Sequence, residues 1–340
     1  MRCVLEAAVD RGDDVVVGSA TTEVLERFAA FPNVALGISP EARWRAVDAA
    51  VHISALCLRQ SVDLIYACHR WPTLLSRPAG RIRGIPVVYH CQSHVAPRRG
   101  TWWGDWTIAV SGPIKQAAIA GGARAARVSL VPNPSNTDAP DRAAIRQAEA
   151  EVVAAMPAAA DGFAVAVARL VPGKGIDVLL HALRQTPTGA LVVVGDGGER
   201  SALEQLRGQL GLTDRVLFVG WKPDPRPYVA AAQFFIFPTD TYPEGMPLAL
   251  LDAMALQRPV VATRVGGVDE AVLDGESGFL VPPGDALALA RAMQRLQVDV
   301  GLSERMGAAG RDRAERVFAT SLITSQVLAI FDLARQEIRK

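Results

Sequence analysis

Short apolar runs alternate with helical patterns along the whole chain, which predicts parallel sheets covered by helices on both faces. In the first half the runs predict strands at 14–19, 63–68, 85–91, 106–110 and 128–131. In the second half they predict strands at 163–169, 190–195, 215–220, 233–237, 259–263 and 278–281. An Ala-rich, charged helical stretch at 139–160 separates the two series. The expected organisation is therefore a doubly wound domain over 1–138, a second over 139–318, and a helical end at 319–340. The apolar stripe of that end (Leu322, Val327, Leu328, Ile330, Phe331, Leu333) predicts a helix crossing back over the first domain.

The opening, MRCVLEAAVDRGDD, carries Val4, Leu5, Ala8 and Val9 at helical spacing before the strand at 14–19. It reads as a first helix followed by a second strand, whereas a doubly wound sheet usually starts on a central strand with a ligand-binding glycine turn. Either the true start lies roughly 15–25 residues upstream, or Met1–Ala7 forms a short strand of its own. The first alternative is favoured.

Composition narrows the class. At 340 residues, with half of them apolar and 21% charged, the chain is expected to be globular and two-domained. A formal charge of +1 gives no support for nucleic-acid binding. No apolar run approaches the ~18 residues of a membrane span, and residues 1–14 lack a signal-peptide pattern. Cys3, Cys57, Cys68 and Cys91 make neither a CxxC pair nor a zinc spacing. These features predict a soluble cytoplasmic α/β protein. Arg98 and Arg99 beside Trp102, Trp103 and Trp106 read either as a loop with core tryptophans or as a basic, aromatic patch. Such a patch suits peripheral contact with the inner membrane face or a lipid-linked acceptor.

Candidate chemistry concentrates in the second half. QFFIFPTDTYPEGMPLALLDAMAL (233–256) predicts a buried strand, a polar loop, an acid at Glu244, and a helix with Pro247 in its first turn. Free N–H groups and the dipole at that helix start suit an anion. Eight residues on, Asp252 stands among leucines and alanines, where a carboxylate needs a hydrogen-bonding partner. FAVAVARLVPGKGIDVLLH (163–181) sets Arg169 at a strand end and Lys174 before a helix, a pairing suited to a diphosphate. In LVVVGDGGERSALEQL (191–206), Gly195 and Gly197 lack the third glycine of a dinucleotide fingerprint, so a tight turn at Gly197 brings backbone close to a ligand instead. VLFVGW (216–221) ends in Trp221, read either as a surface on which a base stacks or as an interface aromatic. RPVVATRVGGVDEAVLDGESGFLVPPGD (258–285) adds Gly266-Gly267 and Glu270 at another strand end.

These blocks, in order and at these spacings, resemble the nucleotide-sugar-binding domain of retaining glycosyltransferases of family-4 type. The resemblance runs from about 161 to 320. The first half is similar more loosely, through DVVVGS, DLIYACH, GIPVVYHCQSH, TIAVS and the VPN at 131–133. The resemblance implies a GT-B fold: two Rossmann-like parallel-sheet domains facing a cleft, here with the first strand of the N-terminal domain missing. It implies Glu244 beside the transferred sugar and Asp252 at the ribose, one methylene shorter than the family's glutamate. Arg169 and Lys174 match the diphosphate pair, and the backbone of Gly245, Met246 and Leu248 meets sugar or phosphate. The family's sugar-side histidine falls on Gln92 here, with His90 and His94 on either side.

The implied reaction is retaining transfer from a nucleotide sugar to an unidentified glycan, lipid-linked or small-molecule acceptor. No cofactor or metal is expected: the sequence holds no Asp-x-Asp pair, and Arg169, Lys174 and a helix dipole answer the leaving diphosphate. A nucleotide-sugar epimerase of the same fold and a non-catalytic, truncated relative are the competing readings.

Overall fold

The computed structural model describes residues 2–19, 25–26, 28–35, 46–93, 103–187 and 189–338. His94, Arg98, Arg99 and Trp102 lie outside them. The chain divides into two compact units, one of Met1–Pro132 with Thr320–Lys340 and one of Asn133–Ala319.

The described elements of the first unit begin with α1 (Arg2–Asp10), β1 (Val17–Ser19), β2 (Asn33–Ala35), α2 (Ala46–Arg59) and β3 (Ile65–Ala67). They continue with α3 (Arg70–Arg83), β4 (Val87–Cys91), β5 (Trp106–Ala109), α4 (Gly112–Ala120) and β6 (Val128–Leu130). Residues 2–10 are thus helical, as the spacing of Val4, Leu5 and Ala8 predicts, and those three side chains are buried. The strands form two parallel sheets, β1-β2 and β3-β4-β5-β6. The predicted strand at 85–91 is shorter in the structure, beginning at Val87, because Pro86 has no N–H and only its carbonyl joins the ladder, accepting from Ile65.

The second unit contains α5 (Arg142–Ala155), β7 (Phe163–Val167), α6 (Ile176–Arg184), β8 (Ala190–Val194), α7 (Arg200–Gln209) and β9 (Val216–Gly220). After them come α8 (Arg226–Ala231), β10 (Phe234–Phe237), α9 (Leu248–Ala255), β11 (Val260–Thr263), α10 (Val268–Ala271), β12 (Gly278–Val281), α11 (Ala286–Val298) and α12 (Val300–Val317). Its six strands are parallel in the order β12-β11-β10-β7-β8-β9. Strands β8, β10 and β11 are buried at every position, as expected of continuous apolar runs covered on both faces. Leu179, Leu180, Leu191, Val193, Phe234, Ile236 and Met293 centre one core cluster. The strand order reverses between β7 and β10, the place where open α/β sheets leave a crevice at the carboxyl ends of their strands.

The last helix, α13 (Thr320–Ile338), belongs to the first unit. Ile323, Val327, Ile330, Phe331 and Ala334 pack with Val4, Ala8, Val88 and Ile108, and the exposed Leu322 and Leu333 lie off that stripe. Charge pairs at its surface, Arg11–Asp332 and Arg127–Glu337, add little beside this burial. Trp103 and Trp106 are also buried in the first unit, consistent with the core reading of these two tryptophans.

Candidate functional site

The loops after β7 and β10 build the crevice of the second unit, and their backbones are stitched to each other and to the loop after β8. Ala168 N–H donates to Val194, Leu170 N–H to Asp196, and Glu199 N–H to the Leu170 carbonyl. Gly195, at φ +137°, lies so close that a Cβ there would stand 1.9 Å from the Ala168 carbonyl oxygen. Ala168 and Leu170 are therefore fixed toward the β8 loop, and Arg169 between them projects outward, exposed. On the other side, the Gly173 carbonyl accepts the N–H groups of Asp240, Thr241 and Tyr242 at 2.9, 3.2 and 3.1 Å. Gly175, at φ +69°, abuts the Pro238 carbonyl so closely that only glycine fits.

This stitching brings together side chains far apart in sequence. Lys174 Nζ lies 2.5 Å from Glu244 Oε1, with both side chains 12% exposed. The buried Thr239 hydroxyl donates to the same carboxylate oxygen at 3.2 Å. Arg169 Nη2 donates to the Tyr242 hydroxyl. Lys174 Nζ stands 4.1 Å from the centre of the Tyr242 ring. Two cations, a carboxylate and a phenol thus share one crevice at the switch point.

Helix α9 starts beside them. Pro247 occupies its N-cap position rather than the first turn expected from the sequence, with helical residues from Leu248. The N–H groups of Gly245, Met246 and Leu248 make no hydrogen bond among the described residues. The Gly245 carbonyl instead accepts from Gly267 N–H at 2.7 Å, and Gly266 at φ +58° packs against the Glu244 carbonyl. Asn133 Nδ2 donates to the Met246 carbonyl at 2.8 Å, holding the turn from behind. One turn into α9, Asp252 accepts the Asn136 N–H at 3.2 Å, which supplies the partner its apolar setting demands. Burial pushes its carboxyl up to about 6, against the opposing pull of the Asn136 N–H and Arg226.

The remaining sequence-predicted residues divide by place. Gly197 gives its N–H to Asp196 Oδ1 at 2.7 Å, and its missing side chain makes room for the Leu170 carbonyl, so the need for glycine comes from loop packing. Trp221, directly after β9, is 64% exposed at the same sheet edge. Glu270 lies in α10, where its carbonyl accepts from Arg313. Gln92 and His90 belong to the first unit. Gln92 follows β4 and is half-buried. His90 is buried, and its Nδ1 pairs with the Tyr66 hydroxyl. Burial lowers its pKa to about 3. Its Nε2 is buried too, with no hydrogen-bond partner among the described residues.

Four contributors escaped the sequence reading: Thr239, Tyr242, Asn133 and Asn136. The first two sit in the polar loop ahead of Glu244, and Asn133 ends the VPN block, so each lay beside a recognised motif. Their roles depend on contacts that no local pattern encodes.

Residues 162–299 match the "Glycosyl transferases group 1" model, and residues 2–139 match the "Glycosyltransferase Family 4" model. The lipopolysaccharide core biosynthesis glycosyltransferase LpsE of Rhizobium meliloti is 34% identical over 166 residues, which are 49% of this chain and 48% of the relative. A GDP-mannose-dependent alpha-(1-6)-phosphatidylinositol monomannoside mannosyltransferase of Mycolicibacterium smegmatis is 37% identical over 158 residues, 43% of this chain and 41% of the relative. The chain spans about half the length of the curated relatives it matches. Among solved structures, Anabaena HepE in complex with UDP superposes with a TM-score of 0.83 at 24% identity, covering 97% of this chain and 95% of that one. Sucrose-phosphate synthase of Thermosynechococcus elongatus gives 0.82 at 24% identity, covering 98% and 92%. With a glycosyltransferase model matched in each half and GT-B enzymes as structural neighbours, the chain belongs to the family-4-type glycosyltransferases of GT-B fold.

Proposed function

We propose that the protein transfers a sugar from a nucleotide-sugar donor to a glycan acceptor with retention of configuration. The observation that carries this reading is the meeting of Arg169, Lys174 and Glu244 at the β7–β10 switch point, beside the start of α9. In this reading the departing nucleoside diphosphate gains negative charge as the glycosidic bond breaks. Arg169, Lys174 and the N–H groups at the α9 start face that charge, preorganised by the stitched loops. Glu244, steadied by Thr239, orients the sugar hydroxyls, and Asp252 accepts from the ribose. The two cations and the helix start answer the diphosphate charge, so the reading assigns no step to a metal.

The named relatives bear on donor and acceptor. HepE was solved with UDP and with UDP-glucose, while the mycobacterial relative is named for GDP-mannose, so the base is left to experiment. LpsE and the capsular relative CapM of Staphylococcus aureus are named for lipopolysaccharide core and capsular polysaccharide biosynthesis, which supports a glycan acceptor. No helix among the described residues is long and apolar enough to cross a membrane, and peripheral contact through Arg98, Arg99 and Trp102 belongs to the same proposal. Supplying an α-linked nucleotide sugar and reading the product by NMR tests the reading. An α-linked transfer product is expected. A β-linked product overturns retention, and an isomerised donor formed without acceptor overturns transfer in favour of epimerisation.

A further inference from the structure

Tyr242 stands between the two cations of the site without being part of any motif that marked them. Its backbone is fixed by the Gly173 carbonyl, on the same loop that carries Lys174. Its ring lies under Lys174 Nζ at 4.1 Å, and its hydroxyl accepts from Arg169 Nη2. Arg169 also lies over the ring, with its guanidinium carbon 5.4 Å from the centre. Two like charges placed at one crevice repel each other, and an electron-rich ring with a hydroxyl acceptor at its tip relieves that repulsion. A phenol that accepts from Arg169 still has its own hydrogen to give, and that hydrogen finds no acceptor among the described residues.

Resting on the donor-site reading above, we propose that Tyr242 is a third diphosphate-binding group. Its ring spaces Lys174 and Arg169, and its hydroxyl donates to a diphosphate oxygen of the bound nucleotide. Lys174 then has two partners on offer, Glu244 and the diphosphate, and the ring keeps its ammonium within reach of both. The residue acts on the diphosphate portion alone, so its removal leaves recognition of base and ribose untouched.

Calorimetric titration of the full chain tests this with UDP, GDP and ADP and with the corresponding nucleosides. Tyr242→Phe keeps the ring under Lys174 and removes only the hydroxyl. It is expected to weaken the diphosphate that wild type prefers by about 10-fold, while the matching nucleoside binds as before. Tyr242→Leu, which removes the ring as well, is expected to weaken it further, with circular dichroism unchanged. Equal diphosphate affinity in wild type and Tyr242→Phe overturns the assignment of Tyr242 and leaves the donor site standing. Equal losses for nucleoside and diphosphate overturn it too, because they mark a general disturbance of the crevice. Wild type binding none of the three diphosphates overturns the donor-site reading and this inference together.

Discussion

Lys174 Nζ and Glu244 Oε1 lie 2.5 Å apart although 70 residues separate them in the chain, and each side chain keeps 12% of its surface exposed. Removing one partner leaves the other charge nearly buried and unpaired. Lys174→Met is expected to destabilise the second unit by about 2–3 kcal/mol, short of the full ~3–5 for a completely buried pair. Glu244→Gln on top of it should restore at least half of that, a non-additivity that urea denaturation of the two single variants and the double variant measures. Purely additive losses contradict a coupled pair.

Asp252 presents the opposite balance, because burial lifts its carboxyl from 3.8 to about 6. Between those values the folded chain holds a proton that the unfolded chain has lost, so stability falls as pH rises through this window and the loss is complete above about 6. Asp252→Asn keeps an oxygen for the Asn136 N–H and removes the buried charge. It should stabilise the second unit by about 2–3 kcal/mol at pH 7 and by almost nothing at pH 3.5. The same change should weaken donor binding. A pH-independent gain contradicts the assignment.

His90 in the first unit has the reverse sign, since burial lowers its pKa from 6.5 to about 3. An unfolded histidine takes up a proton below about 6.5 while the folded one stays neutral, so stability drains away as pH falls from 6.5 towards 3. Its Nε2 is buried without a partner among the described residues, so protonation there meets no acceptor. His90→Gln should flatten the acid limb by about 3 kcal/mol between pH 6.5 and 4 in a denaturation series. An unchanged acid limb contradicts it.

Gly195 and Gly211 both have positive φ, at 137° and 67°, but only Gly195 is crowded. A Cβ at Gly195 would stand 1.9 Å from the Ala168 carbonyl, whereas nothing lies within 4 Å of one at Gly211. Gly211→Ala should destabilise by about 1 kcal/mol, the ordinary left-handed penalty, and leave ligand binding intact. Gly195→Ala should destabilise by at least ~3 kcal/mol and shift Arg169, reducing donor affinity as well. Similar effects from both substitutions refute the stitched-loop account.

Apolar runs such as FFIF at 234–237 and ALVVV at 190–194 made the second sheet readable, because fully buried parallel strands show continuous hydrophobicity. Arg169, Lys174 and Glu244 were legible for a different reason: each sits at a strand end or helix start, where glycine and proline punctuate the chain. Periodicity is silent on partners, so the Lys174–Glu244 pairing and the Tyr242 bridge emerge only from the fold. The same holds for Asn133 and Asn136, which reach Met246 and Asp252 over more than a hundred residues. The burial of His90 was not legible for another reason. Every position of β4 is buried, so no alternation indicates which side chains face a ligand and which face the core.

Equilibrium titration of UDP-, GDP- and ADP-sugars into wild type and the Arg169→Ala variant tests the central claim most directly. The variant lacks a cation that is itself exposed and takes part in no buried pair, so its fold should be retained. Wild type is expected to bind one nucleotide class, and Arg169→Ala to lose at least 10-fold in affinity for it, with a weaker salt dependence. Binding of equal strength in both proteins, or no nucleotide-sugar binding by wild type, contradicts a donor site at the β7–β10 switch point.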